Sequence, residues 1–329
     1  MKKKKIRDTI IKMKRFKSGE NMATIKDVAR ESKLSVGTVS RYLNGEQLKI
    51  NNQEAIEKAI EKLGYETNAI ARSMKTGRTM TIAVVVPFLA NMFSMRVIES
   101  IEQELQKENY SVIITDCSGD AIKEINRIEF LKRRQIDGMI LMPSGIRAEN
   151  IKKSIGNIPL VLVDRILDEP VFDSVIIDNE KMTCDYVCRL LETGIRKIGI
   201  IEGPQFISTA RQRSAGYEKA LQKYGIKKEY VANCTEYSFA AGYRGMKELQ
   251  KFDLEAVFAS NYELSVGVMN ANTHDSLKIL GFDTFEIPVK FQDNYTGIQQ
   301  PVEEIGSLAA KLLLDRIHDT EKEITIKII

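Results

Sequence analysis

The polar side chains of residues 35–41 are of types that suit hydrogen bonding to a polyanion. Hydroxyl groups can donate to phosphate oxygens, and this segment carries three of them, on Ser35, Thr38 and Ser40. Arg41 can donate two hydrogen bonds to the edge of a guanine, and Val36 and Gly37 would lie beside bases. The segment therefore predicts contacts with both the backbone and the base edges of double-stranded DNA.

Two short helical patterns with almost no loop between them would position these side chains. Thr24 predicts the start of the first helix and Ser35 the start of the second, since hydroxyl side chains cap helix N-termini. Asn44 and Gly45 would end the second helix, and an apolar stripe over residues 56–63 indicates a third. Three helices at this spacing predict a helix-turn-helix domain, whose second helix enters the major groove. The alternative is a helical hairpin with a solvated face.

The charge distribution separates the start of the chain from the rest. Residues 1–78 carry 19 Lys and Arg against 9 Asp and Glu, whereas the remaining residues carry 30 against 36. A basic head on an acidic body suggests a polyanionic partner for the head alone. Residues 1–21 form a basic N-terminal extension with no core pattern, and for residues 1–17 a solvated tail is the alternative.

From Met80 onward, apolar runs of strand length alternate with helical patterns. Buried strands that alternate with helices predict parallel sheets, and there are too many units for one sheet, so we expect two α/β lobes. The runs cover residues 82–87, 112–115, 138–142, 160–163, 175–177, 198–201, 256–259 and 277–281. In such lobes small ligands bind at the carboxyl ends of the strands.

Composition and motifs argue against several classes of protein. We find no catalytic constellation in a chain with only two histidines and no phosphate-binding or dinucleotide fingerprint, so we expect neither enzyme activity nor a cofactor. The four cysteines are scattered, which favours free thiols in a reducing compartment over a metal site. No apolar run approaches the ~20 residues of a membrane span, and we see no secretion signal. We therefore expect a cytoplasmic protein without a metal or a membrane partner.

Residues 23–44 resemble the DNA-binding head of the lactose-repressor (LacI) family, and the similarity extends over residues 22–329. It continues through Leu63-Gly-Tyr65 and the run from Asn68 to Thr76. In the second half it rests on Asn91 and Phe93, Asp137-Gly138, Val163-Asp164-Arg165, Arg213 to Tyr217, Gly242-Tyr243, Phe258 to Asn261, Gly281 to Asp283 and Ile298 to Pro301.

The resemblance implies an N-terminal all-α helix-turn-helix domain followed by an α/β two-lobed domain like that of periplasmic sugar-binding proteins, with parallel sheets flanked by helices. The expected boundaries are 22–67 for the DNA-binding domain, 68–79 for a hinge helix and linker, and 80–329 for a ligand-sensor and dimerisation domain. We expect one lobe to comprise about 80–177 with 302–320, and the other 178–301 with 321–329.

The family also implies a homodimer on a near-palindromic operator, with a hinge helix from each subunit in the minor groove. Met74 falls at the position of an apolar wedge, and Arg72 and Lys75 can contact phosphates. The alternative for residues 68–76 is a plain linker. Motif and resemblance together predict DNA contacts from Thr24, Ile25, Ser35, Val36, Gly37, Thr38, Ser40, Arg41, Asn44, Tyr65, Asn68, Ala71, Arg72, Met74 and Lys75.

The resemblance also places an effector site in the sensor half. The implied ligand contacts are Asp164, Arg213, Asn261 and Asp283, with aromatic rings from Phe93 and Tyr237. These groups suit a sugar or a sugar derivative, because carboxylates accept from hydroxyls, Arg and Asn donate, and a flat ring covers an apolar sugar face. The alternatives are helix capping for the two aspartates and core packing for the two rings.

Two departures from the family pattern bear on this site. Tyr262 stands where members usually carry Asp, and the stretch 262–280 is several residues shorter than usual. The sequence predicts a sequence-specific DNA-binding transcriptional regulator, in the first place a repressor, whose operator affinity a small molecule controls. One alternative is a regulator with a silent or protein-controlled sensor. The other is a solute-binding protein, and the DNA-binding head argues against it.

Overall fold

The structure is a computed structural model, and it describes residues 23–43, 45–65, 77–284 and 294–329. The chain divides after Gly77 into two units, which we describe separately as the head and the core unit. The predictions for the extension 1–21, for Asn44 and for the hinge residues Asn68, Ala71, Arg72, Met74 and Lys75 lie outside the described residues.

The head contains three helices, α1 (Ile25–Ser32), α2 (Val36–Leu43) and α3 (Ile50–Leu63). Asp27 accepts hydrogen bonds from the Thr24 amide at 2.9 Å and from its hydroxyl at 2.7 Å, which fixes the first turn of α1. The head core consists of Val28, Ala29, Val39, Ile56 and Ala59. The predicted helix-turn-helix arrangement is thus confirmed, with apolar residues from all three helices in one small core.

The first lobe of the core unit is a six-stranded parallel sheet in the order β11-β5-β4-β3-β1-β2. Its strands are β1 (Thr81–Val86), β2 (Ser111–Asp116), β3 (Gly138–Leu141), β4 (Leu160–Val163), β5 (Asp173–Ile176) and β11 (Ile326–Ile328). Its helices are α4 (Met92–Lys107), α5 (Ala121–Arg133), α6 (Ala148–Ile155) and α11 (Val302–His318).

The second lobe is a five-stranded parallel sheet in the order β10-β9-β8-β6-β7. Its strands are β6 (Ile198–Glu202), β7 (Val231–Asn233), β8 (Ala256–Ala259), β9 (Lys278–Phe282) and β10 (Tyr295–Ile298). Its helices are α7 (Asn179–Glu192), α8 (Ser208–Lys223), α9 (Phe239–Leu249) and α10 (Tyr262–Ala271). The predicted pair of parallel α/β lobes is confirmed. Of the helices in the described ranges, none has the length and apolar character to cross a bilayer.

The end of the chain corrects one predicted boundary. The sequence predicts residues 321–329 in the second lobe, but β11 pairs in parallel with β5 of the first lobe. The edge of β5 would otherwise expose unpaired backbone groups. Asp173 holds the returning chain, because its carboxylate accepts from Arg316 at 2.7 and 2.9 Å and from the Thr325 amide at 2.8 Å. This ion pair, whose carboxylate is almost fully buried, fixes the connection between α11 and β11.

The start of the core unit is held by one carboxylate. Asp137, just before β3, accepts from the Thr79 amide at 2.8 Å, the Thr79 hydroxyl at 2.9 Å and the Met80 amide at 2.9 Å. The residues that lead into β1 are therefore fixed to the neighbouring strand.

Candidate functional site

The predicted DNA-reading surface lies on α2 of the head. The Ser35 hydroxyl accepts from the Thr38 amide at 3.1 Å and lies 2.8 Å from the Thr38 hydroxyl, so these two side chains form the N-terminal cap of the helix. Val36, Gly37 and Arg41 are exposed beyond this cap. The surface therefore offers an apolar contact, a bare backbone and a guanidinium on one short helix.

Other residues predicted to contact DNA take part in the structure of the head. Ile25 and Tyr65 are half-buried and pack against the head core, and Ser40 is half-buried on α2. Thr24 is exposed at the N-terminus of α1. These residues therefore pack against the head core or cap a helix, and they still lie near the surface. Arg41, in contrast, is not part of the head core.

One cavity of the core unit contains all six side chains predicted to contact an effector. The cavity has a volume of about 590 Å³ and lies between the two lobes. Asp164, Asn261 and Asp283 follow β4, β8 and β9, so they come from the carboxyl ends of three parallel strands. Arg213 comes from α8, Phe93 from α4, and Tyr237 from the turn before α9.

Arg213 is held rigidly at the base of the cavity. It is only 4% exposed, and it donates from Nε to Asn179 Oδ1 and from a terminal nitrogen to the Ser260 carbonyl, both at 2.8 Å. Its guanidinium carbon lies 3.6 Å from the centre of the Phe282 ring. A guanidinium has five N–H donors, so these bonds orient the group and leave donors for a ligand.

Asp283 is the most perturbed carboxylate of the cavity. Burial raises its pKa to about 6, in spite of the nearby Arg213 charge and a hydrogen bond from Gln300. Its backbone has a φ of 71°, as does that of Asp164 at the end of the corresponding strand of the other lobe. Residues other than glycine are uncommon in this left-handed region, although aspartate tolerates it better than most, and such residues are often found at functional sites.

Glu263 is a cavity residue that the sequence analysis missed. It accepts from Asn91 Nδ2 at 2.7 Å and from the Asn261 side chain, and burial raises its pKa. Asn91 also caps α4 of the first lobe, where its side chain accepts from the Ser94 amide at 2.9 Å. The Asn91–Glu263 hydrogen bond therefore joins the two lobes across the cavity. The signal in the sequence is an acidic residue one position beyond the expected aspartate.

Tyr262, which stands at the usual position of that aspartate, is buried and does not line the cavity, whereas Glu263 does. The carboxylate that family members carry directly after the asparagine is thus replaced in the cavity by one from the next residue. Gln300, which donates to Asp283, is a second lining residue that the sequence analysis did not single out.

The two predicted rings differ in their surroundings. Tyr237 lies so close to Gly203 that a Cβ there would be 2.2 Å from the ring, so this approach requires glycine. Phe93 is buried and also belongs to an apolar core cluster that includes residues of both lobes. Within the ranges that the structure covers, no group of three or more His, Cys, Asp or Glu side chains could hold a metal ion.

Two family models together match most of the chain. Residues 24–68 match the model of bacterial regulatory proteins of the LacI family. Residues 79–329 match the model of periplasmic binding proteins and the sugar-binding domain of the LacI family. The two matches correspond to the head and the core unit.

Individual proteins agree with these matches over nearly the whole chain. The chain is 32% identical to the transcriptional repressor CytR of Escherichia coli over 315 residues, which cover 92% of each protein. A LacI-family transcriptional regulator from Enterococcus faecium, solved with bound ribose, is 29% identical with a TM-score of 0.68, covering 76% of this chain and 94% of that one. The structure of the Lac repressor dimer bound to operator matches with a TM-score of 0.82 at 21% identity. The match covers 94% of this chain and 97% of that one, and it supports the fold.

Proposed function

This chain belongs to the LacI family of bacterial transcriptional regulators, and from that premise we propose that a sugar or sugar derivative in the core cavity controls its affinity for operator DNA. One observation carries the proposal: the six side chains that the sequence predicts as effector contacts come from distant parts of the chain and line a single cavity of about 590 Å³. The family consists of DNA-binding regulators, so the chain is not an enzyme.

The chemistry at the base of the cavity fits a polyol. Asp164, Glu263 and Asp283 offer carboxylate oxygens to hydroxyl hydrogens, while Arg213 donates to hydroxyl oxygens. The Tyr237 ring provides a flat face for the apolar side of a sugar ring. Because Glu263 restores a carboxylate beside Asn261, we favour a working sensor over a silent one.

On the DNA side, we propose that Arg41 reads a base edge while Val36 and Gly37 contact the adjacent groove surface. Ser35 and Thr38 would fix the helix N-terminus near phosphates. Residues 68–75 would form the hinge helix, and an effector that changes the relation of the two lobes would alter its stability on DNA. A regulator of this kind works on the chromosome, so we place it in the bacterial cytoplasm.

We further propose that the protein is a homodimer that joins through the β2 edge of the first lobe. Ile113 and Ile114 of β2 and Met95 of α4 are exposed, at 37%, 42% and 49%. Apolar side chains on an open strand edge mark an interaction surface. Light scattering should give the mass of two chains for the native protein and of one chain for Ile114→Glu; a native monomer would contradict the proposal.

The test of the regulatory proposal uses the full chain. Selection from random duplexes should yield a near-palindromic operator, and fluorescence anisotropy then measures affinity with and without each member of a sugar library. We expect one sugar class to raise the unfolding temperature of the protein and to change operator affinity, which also reveals whether it induces or co-represses. Operator binding that no sugar alters would favour the silent sensor. A selection that recovers no preferred DNA sequence would contradict the DNA-binding role.

A further inference from the structure

Three exposed phenylalanines surround the mouth of the cavity. Phe88, Phe206 and Phe239 all line it, and they are 49%, 63% and 53% exposed. Phe88 follows β1 of the first lobe, Phe206 follows β6 of the second, and Phe239 is the first residue of α9. Exposed aromatic rings that converge on one opening from three separate segments are unfavourable in water, and such surfaces mark binding sites.

Two of these three rings lie against glycines of the first lobe. A Cβ on Gly119 would be 2.9 Å from the Phe88 ring, and a Cβ on Gly145 would be 3.4 Å from the Phe206 ring. Since Gly145 lies in the first lobe, the Phe206 ring reaches from the second lobe to the first. The Phe88 and Phe206 rings are therefore already in contact with the first lobe before a ligand binds.

The mouth of the cavity contrasts with its base. Arg213 and Asp283 at the base are 4% and 6% exposed, and they are charged. The mouth is open, and beside the three rings it carries the exposed polar residues Ser118, Thr235 and Glu236. A volume of about 590 Å³ is typical of sites for drug-sized ligands, so a single sugar ring on the charged base would leave the aromatic mouth uncovered.

We propose that the mouth is a second subsite, which binds a second ring of the effector joined to the polyol ring. The shared chemistry of this second ring is a flat apolar face, as in the sugar ring of a disaccharide, the aryl group of a glycoside or the base of a nucleoside. The proposal rests on the proposed function, because it extends the same effector site.

The test is calorimetric titration of the full-length protein with matched ligands. For each sugar, the methyl glycoside supplies one ring, while the phenyl glycoside, the disaccharide and the nucleoside supply two. We expect at least one two-ring series to bind about tenfold more tightly than its methyl glycoside, and the series that does so identifies the second ring.

Variants test whether the mouth is responsible for the tighter binding of two-ring ligands. Phe206→Ala should weaken two-ring binding about tenfold and methyl glycoside binding less than twofold, whereas Phe206→Tyr should keep the gain. Phe130→Ala is the matched control, since Phe130 is an exposed phenylalanine of α5 outside the cavity. Equal affinity of one-ring and two-ring ligands, or equal weakening of both by Phe206→Ala, overturns the subsite and leaves the sensor standing. Binding of no ligand at all overturns both proposals.

Discussion

The head and the cavity of the core unit present functional side chains in opposite ways. On the head, Val36, Gly37 and Arg41 are neighbours in sequence and exposed on one short helix. In the cavity, Arg213 and Asp283 are buried and come from segments far apart in the chain. The first surface can be reshaped residue by residue, whereas the second depends on the positions of two whole lobes. Substitutions should therefore act locally on the head and cooperatively in the cavity.

The largest effect should come from Asp283, the most buried of the carboxylates that line the cavity. Asp283→Ala removes an acceptor for the effector and leaves the Gln300 amide and the Arg213 charge without this partner. We expect effector affinity to fall about a hundredfold, or about 3 kcal/mol, with operator affinity unchanged. Titration calorimetry measures the first and anisotropy the second. Asp315→Ala, on the exposed surface of α11, is the control, and a normal effector response of Asp283→Ala would remove this residue from the site.

The next largest effect should come from a substitution in the head, and it should change the base preference at one position of the operator. Arg41→Ala should weaken operator binding by about 2 kcal/mol and relax the preference at a single base pair. Arg41→Lys keeps the charge but loses the planar pair of donors, so it should retain the salt dependence of binding and still lose that preference. Repeating the DNA selection with both variants tests the idea, which fails if each recovers the native operator sequence.

The contrast between the head and the cavity also explains which features can be predicted from the sequence alone. Thr24 with Asp27 and Ser35 with Thr38 are local capping pairs, and the structure forms both. Asp164, Asn261 and Asp283 can be predicted because the parallel strands of each lobe direct their carboxyl ends to one edge of their sheet, and the family resemblance selects these residues there. The edge strand β11 is a short Ile-Lys-Ile segment with exposed side chains, and its alternating pattern does not indicate which of the two sheets it joins. Glu263 and Phe206 escape prediction because their place depends on a turn register and on the approach of the two lobes.

Effector binding should depend on pH between about 5 and 7.5, because the pKa of Asp283 is raised to about 6. Below that pKa the carboxyl is protonated and accepts hydroxyl hydrogens poorly, so affinity should fall about tenfold at pH 5. The stability effect has the opposite sign: a raised folded-state pKa contributes stability at pH values below the unfolded pKa of about 3.8, and this contribution is lost as pH rises through about 6.

Asp283→Asn separates the two effects, since it cannot titrate. The variant should bind the effector with a flatter pH profile and should lose the part of the unfolding free energy that changes between about pH 4 and 6. Calorimetric titrations and denaturant unfolding at matched pH values measure both quantities. An unchanged pH profile in this variant would assign the titration to Glu263, whose pKa burial also raises.

The smallest effects should come from one glycine in each region, and they should differ in sign. On α2, a Cβ at Gly37 would have only the Ser35 hydroxyl nearby, at 3.7 Å. Gly37→Ala should therefore stabilise the head by up to ~1 kcal/mol, because alanine favours the helix more than glycine does. In the cavity, a Cβ at Gly203 would overlap the Tyr237 ring, which must then move. Gly203→Ala should destabilise the core unit by about 1 kcal/mol and weaken effector binding. Denaturant unfolding of the full chain measures both, and the same sign for both would mean that packing around Gly203 is as open as on the head.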